Sequence, residues 1–262
     1  MDADRAYTTY GNPEDPCIVF VHGIRLGRAI WESHARALAS RYFVVTIDLP
    51  GHGVLCGVPF TTRNIDALFD HVFDNVCSSK PLVVGYSLGG YAAIAYACAR
   101  PERIRALLLA GCTLDFEPWK RWPYEISARL SAVLPALLFE RLIWCSLHLT
   151  MPRVWADRVV AIPFDRSVLA ETSALTSNGG RFSEKLAHYP GSVLFVNGEY
   201  DIVFRIDERR FLRCASAARL KIVRRSDHTM PMRRAEEFEA IVREFACELF
   251  ERDRRRAVGM PR

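Results

Sequence analysis

Apolar residues in this chain cluster in short runs bounded by turn residues: CIVFVHG (17–23), YFVVTIDLPG (42–51), PLVVGYS (81–87), IRALLLAG (104–111), SVLFVNGEYD (192–201) and ARLKIVRRS (218–226). Their interiors are almost continuously apolar rather than alternating, the pattern of strands in a parallel sheet that is covered on both faces. Segments of helical character lie between them, at Ala29–Ser40, Asn64–Cys77, Gly89–Arg100, Ile206–Ala215 and Met232–Glu251. Parallel neighbours require a crossover. The β-α-β-α order therefore predicts an α/β domain with a doubly wound, mostly parallel sheet and its functional loops at the carboxyl ends of the strands.

The alternation stops between Cys112 and about Lys185. That stretch holds four of the five tryptophans (Trp119, Trp122, Trp144, Trp155), several prolines and helically spaced apolar residues such as Leu130, Val133, Leu134, Leu137 and Leu138. It is too long for a plain loop. The expected organisation is a core formed by residues 1–112 and 186–262, with a helical cap at 113–185; one more layer of the main core is the competing arrangement.

Length and composition then narrow the class. With 262 residues, half of them hydrophobic and a quarter charged, the chain can bury a large core without disulfide staples. Its net charge of +5 comes from 35 basic and 30 acidic residues. The basic pairs and triplets, Arg233–Arg234 and Arg254–Arg256, sit among Glu236, Glu237, Glu239 and Asp253, so they read as solvated helix surface and no nucleic-acid partner is expected. Eight cysteines show no C-x-x-C pair, several lie inside apolar runs, and MDADRAYTTYG lacks a charged-then-apolar leader. Buried thiols and a cytoplasmic location are expected. The oiliest segment, 130–144, is interrupted by Pro135, Glu140 and Arg141, so no integral membrane segment is expected; an oily cap raises the idea of a membrane-docking lid, though no amphipathic basic helix stands out.

The candidate chemistry centres on Gly85-Tyr86-Ser87-Leu88-Gly89-Gly90. An apolar strand runs directly into this G-x-S-x-G motif and a small-residue helix runs directly out of it, the context of a nucleophile at a sharp strand-to-helix turn. Side chains two positions either side of Ser87 would clash, hence the glycines. A serine hydroxyl needs a base, and His228 fits, in a loop after the strand at 218–226 and before the last helix. The imidazole needs a carboxylate, for which Asp201, one β-α unit earlier, is preferred. Asp115 is the runner-up, Glu199 and Asp207 follow, and Asp227 is too close along the chain to reach the ring. An oxyanion needs two aimed backbone N–H groups, expected at Leu88 and at Ile24, beside Gly23. His22 is expected to be structural. Arg25 either points a cation at an acidic substrate group or faces water at the rim, and Tyr86, Trp119 and Trp144 are further candidates for contacting substrate.

Together, H-G at 22–23, D-L-P-G-H-G at 48–53, the elbow at 85–90, Asp201 in N-G-E-Y-D and His228 in D-H-T-M-P resemble the α/β-hydrolase fold family, in its serine-nucleophile, esterase-like branch with a helical cap. The resemblance covers nearly the whole chain outside the cap and follows the family's order of nucleophile, acid and base. It implies a structural turn at Asp48–Gly53 and a helical lid after the sixth strand. Serine at 87 disfavours the aspartate chemistry of haloalkane dehalogenases and epoxide hydrolases. The resulting expectation is cleavage of an apolar small-molecule carboxylic ester through an acyl-enzyme, with neither cofactor nor metal. Carbon–carbon hydrolysis, lactone hydrolysis or acyl transfer on the same groups, and a catalytically silent small-molecule receptor, are the alternatives.

Overall fold

The computed structural model describes residues 1–179 and 181–257. Its strands are β1 (Tyr7–Tyr10), β2 (Cys17–Val21), β3 (Phe43–Ile47), β4 (Leu82–Tyr86), β5 (Ala106–Ala110), β6 (Ser192–Gly198) and β7 (Ala217–Val223), in one seven-stranded sheet of order β1-β3-β2-β4-β5-β6-β7. All pairings are parallel except β1 with β3. Every residue of β2, β3, β4 and β5 is buried, which is why their sequences show no alternation. Side chains alternate between two cores. Val19, Val83, Leu107 and Phe195 pack on one face, and Phe20, Val84, Leu108 and Val196 on the other.

The first face is covered by α2 (Thr62–Asn75), α3 (Leu88–Ala99), α8 (Phe182–Leu186) and α9 (Glu208–Cys214). The second carries α1 (Glu32–Leu38), α10 (Met230–Arg233) and α11 (Ala235–Ala257). The chain after β5 forms α4 (Pro118–Val133), α5 (Ala136–Thr150), α6 (Arg153–Val160) and α7 (Ser167–Gly179) before α8 and β6, so the interruption of the β-α rhythm is helical, as the spacing predicts. No helix among the described residues is long and apolar enough to cross a membrane.

Four details depart from the sequence reading. The strand β1 has no apolar run to announce it; it exists by pairing Tyr7 with Ile47 and Tyr10 with Val44 along the sheet edge. The other edge, β7, alternates between exposed and half-buried residues instead of being covered on both faces, and its Arg219 and Lys221 suit an edge that resists further pairing. The last helical segment is divided at Arg234 into α10 and α11. Of the cysteines only Cys17 and Cys112 are buried, while Cys56 and Cys145 are exposed. The side chains of Arg254–Arg256 lie outside the described residues.

Candidate active site

The winding direction of the sheet reverses between β2 and β4, where Val21 lies opposite Gly85. Loops leaving the carboxyl ends of two strands diverge at such a point and open a crevice between them. Ser87 leaves β4 there and Ile24 leaves β2, and both line one cavity of about 340 Å³.

Ser87 has a φ of 50° and caps α3, so the turn holds it in a backbone region that non-glycine residues seldom adopt. The glycines beside it are a matter of space. A Cβ on Gly85 would lie 2.6 Å from the Gly90 Cα, and one on Gly89 would lie 2.5 Å from the His22 carbonyl oxygen. The Leu88 N–H, in the first turn of α3, has no partner within the helix. Leu88 and Ile24 line the same cavity.

The structure brings together Ser87, His228 and Asp201. The Ser87 Oγ lies 3.1 Å from His228 Nε2, and the other ring nitrogen, Nδ1, lies 2.7 Å from Asp201 Oδ2. With a carboxylate on Nδ1, that nitrogen carries the proton and Nε2 is free to accept one from the hydroxyl. Further contacts hold the residue in place. The Tyr86 hydroxyl donates to the His228 carbonyl at 2.9 Å, and Phe204 stacks on the imidazole with centroids 4.2 Å apart and planes 17° from parallel. Gly111, at φ 58°, passes so close that a Cβ there would lie 2.8 Å from the ring Cε1. Tyr86, expected as a substrate contact, is instead buried under His228, and burial pushes its phenol far above the usual range.

Asp115, the runner-up carboxylate, is committed elsewhere. It accepts the Ser183 N–H at 3.0 Å and the Ser183 hydroxyl at 2.5 Å, with Arg210 at 3.6 Å. Asp207 accepts from Lys120 at 2.6 Å and Glu199 from the Arg225 N–H at 2.7 Å, so neither is directed at His228.

Two histidines lace the β2 loop to the loop at 48–53. His22 donates from Nδ1 to the Gly23 carbonyl and accepts the Leu49 N–H on Nε2; His52 donates from Nδ1 to the Pro50 carbonyl and accepts the Arg25 N–H on Nε2, each across 2.8–3.0 Å. Each ring thus uses one donor and one acceptor, which only the neutral form has. Burial lowers the His22 pKa to about 4 and the His52 pKa to about 3. Asp48 completes the turn by accepting the Arg28 and Val54 N–H groups. His22 is therefore structural, as expected, and so is His52, whose position in a turn gave no sign that it holds the neighbour of Ile24.

Arg25 also has a left-handed backbone, at φ 62°. Its guanidinium neither lines the cavity nor faces open water. It reaches α5, pairing with Glu140 at 2.6 Å and lying over the rings of Phe139 and Phe164. Trp119 and Trp144 are likewise not among the cavity-lining residues: both are exposed, Trp119 beneath the Lys120 ammonium and Trp144 stacked on His148.

The wall contains residues that sequence reasoning did not single out. Tyr91, Phe116 and Phe204 come from the core side, Tyr124 and Ser127 from α4, and Leu169 and Thr172 from α7. Nothing local marks them, since their shared cavity depends on how α4 and α7 pack. None carries a formal charge, and burial pushes the Tyr124 phenol up to about 12 and that of Tyr91 well above its usual value, so the wall is neutral. Among the described residues, no group of three or more His, Cys, Asp and Glu could hold a metal ion.

Comparison with known proteins places this geometry in context. The sequence model of the Alpha/beta hydrolase family matches residues 18–241. A pimeloyl-acyl-carrier protein methyl ester esterase from Chromobacterium violaceum is 33% identical over 162 residues, a match covering 60% of this chain and 58% of that one, so the chain spans less than two thirds of that relative. One of the same description from Proteus mirabilis is 28% identical over 74% of this chain and 68% of its own. A solved structure from a study of carboxylesterases of Nitrososphaera gargenis superposes with a TM-score of 0.81 at 18% identity, covering 94% of each chain, a likeness of fold.

Proposed function

As the chain belongs to the alpha/beta hydrolase family and is an enzyme of that fold, we propose that it is a serine hydrolase that cleaves the carboxylic ester of an apolar, uncharged small molecule through an acyl-enzyme at Ser87. The observation that carries this reading is the relay from Ser87 Oγ through His228 to Asp201, with contacts of 3.1 and 2.7 Å, opening on a neutral cavity. Relatives described as methyl ester esterases support the ester class, and a methyl ester of a longer acyl chain is the substrate type they suggest.

In the proposed reaction His228 Nε2 takes the Ser87 proton as Oγ attacks the ester carbonyl, while Asp201 keeps the other ring nitrogen protonated and stabilises the imidazolium. The Leu88 and Ile24 N–H groups receive the oxyanion. Collapse of the tetrahedral intermediate releases the alcohol, which takes its proton from Nε2. A water then repeats the sequence, giving its proton to His228 as it attacks the acyl-enzyme, and the acid leaves with Ser87 restored. Within the expected cap at 113–185, helices α4 to α7 act in this reading as the lid, since α8 packs on the sheet, and α4 and α7 close the acyl side of the cavity. The carbon–carbon alternative asks Arg25 to hold a carboxylate, and the pairing of that guanidinium with Glu140 argues against it.

A fluorophosphonate probe tests the proposal. It should label Ser87 in the native protein and leave Ser87→Ala unlabelled, with ester turnover falling on the order of 10⁶-fold. Full turnover by that variant would remove serine from the mechanism.

A further inference from the structure

The side of α4 that does not pack inward is apolar. Trp119, Trp122, Ile126, Leu130 and Val133 follow one another at helical spacing and so form a single stripe on α4, and Leu137 follows at the head of α5, beyond the extended break at Leu134 and Pro135. These six side chains are between 46% and 88% exposed. The inward side of the same helix, at Lys120, Ala128 and Ser131, is buried. Helix α5 adds Leu142 and Leu149 to the exposed apolar surface, with Phe139 its buried residue. A patch of this size on a surface marks a contact still to be made.

Charge selects the partner. Residues 118–160 hold three carboxylates (Glu125, Glu140, Asp157) and six cations, of which Lys120 is buried against Asp207 while Arg121 and Arg153 lie by Glu125 and Asp157, leaving Arg129, Arg141 and Arg158. All three carboxylates are already paired: Glu125 with Arg121, Glu140 with Arg25 and Asp157 with His148. Arg129 and Arg141 are exposed and have no ion-pair partner among the described residues. The two helices thus carry an oily exposed surface and unpaired arginines, Arg129 on α4 and Arg141 on α5, and α4 adds two exposed tryptophans, the side chains that settle at a lipid headgroup boundary. A second copy of the chain would bring the same patch, with the same unpaired arginines and with Glu125, Glu140 and Asp157 already paired, so it offers no free carboxylate to answer them. An acidic protein would satisfy the arginines and leave the stripe to be covered.

We propose that the outer face of α4 and the start of α5 dock on an anionic phospholipid surface. The helix that would meet lipid also borders the site, since Pro123, Tyr124 and Ser127 of α4 line the cavity. Docking does not depend on the ester-hydrolase reading, and Ser87→Ala should dock as the native chain does.

Cosedimentation of the full chain with vesicles, of phosphatidylcholine alone or mixed with phosphatidylglycerol, tests this. Tighter partitioning onto the phosphatidylglycerol vesicles is expected. Trp122→Asp with Leu130→Asp should weaken it by about tenfold or more on either vesicle. Arg129→Glu with Arg141→Glu should weaken it about fivefold per residue on the anionic vesicles alone. Turnover of soluble p-nitrophenyl butyrate should be unchanged in both variants, which shows that they fold. If the aspartates abolish that turnover, the arginine reversals carry the test. Absence of partitioning, equal partitioning onto both vesicles, self-association broken by the same substitutions, or binding to an acidic protein without binding to vesicles would each overturn the proposal.

Discussion

The sheet edge and the helices between β5 and β6 solve different problems with the same chain. At the edge, each group of interest is held by several others: His228 touches Asp201, Ser87, Tyr86 and Phe204, and the β2 loop is bonded through His22 and His52. Helix α4, which borders the cavity, presents large apolar residues to the outside as well, and α5 buries little but Phe139. Chemistry needs reacting atoms fixed to fractions of an ångström, which takes redundant contacts on a rigid scaffold. A wall that selects apolar ligands needs only shape and the absence of charge.

If that contrast holds, substitutions at the sheet edge should reduce rate steeply and substitutions on the outer helices should barely register. The largest effect after Ser87→Ala is expected at Asp201→Asn, where loss of the charge and of the correct ring tautomer should lower kcat about 10⁴-fold. Asp115→Asn, by contrast, should leave kcat close to native and lower stability by about 1–3 kcal/mol, because the Ser183 donors lose a charged acceptor. Comparing kcat and urea midpoints of the two variants would reverse the assignment if Asp115 proved the one needed for turnover.

Next is His52→Ala. It removes the acceptor for the Arg25 N–H beside the proposed oxyanion donor Ile24, and should cost about 10²-fold in kcat with little change in KM. An unchanged kcat would mean that the β2 loop keeps its position without the histidine.

The same histidines set a pH limit on stability. The unfolded chain protonates both near pH 6.5, whereas the folded protein resists until about 4 for His22 and about 3 for His52. The unfolded state therefore binds more protons between those values. Stability should fall as pH drops from about 6.5 towards 4, by roughly 1.4 kcal/mol per pH unit for each ring. Urea unfolding at a series of pH values measures the slope, and His52→Ala should be the shallower of the two proteins. A slope that stays the same would show that His52 is not held neutral by the fold.

The smallest effect is expected at Trp144→Ala, on the outer helices: Trp144 stacks on His148 away from the cavity, so KM for a short-chain ester should move by less than about twofold. A large rise in KM would bring that tryptophan into the binding wall and blur the division between the two regions.

The strands β2 to β6, the interruption after Cys112, and Ser87, Asp201 and His228 as partners were legible in the chain because each depends on a local rule. A strand covered on both faces must be apolar throughout, a strained turn needs glycine on both sides of its serine, and loops at one sheet edge follow from parallel order. Packing decided what those rules do not reach. Tyr7–Tyr10 is a strand only because β3 offers an edge, and Tyr86, chosen as a substrate contact, props His228 from below. Trp119 and Trp144 face outward while Phe204 and Thr172 face the cavity, and Arg25 is bound to Glu140, 115 residues away along the chain. Contacts of that range are settled by how helices dock on a sheet, and no periodicity of 2 or 3.6 residues records where two faces will meet.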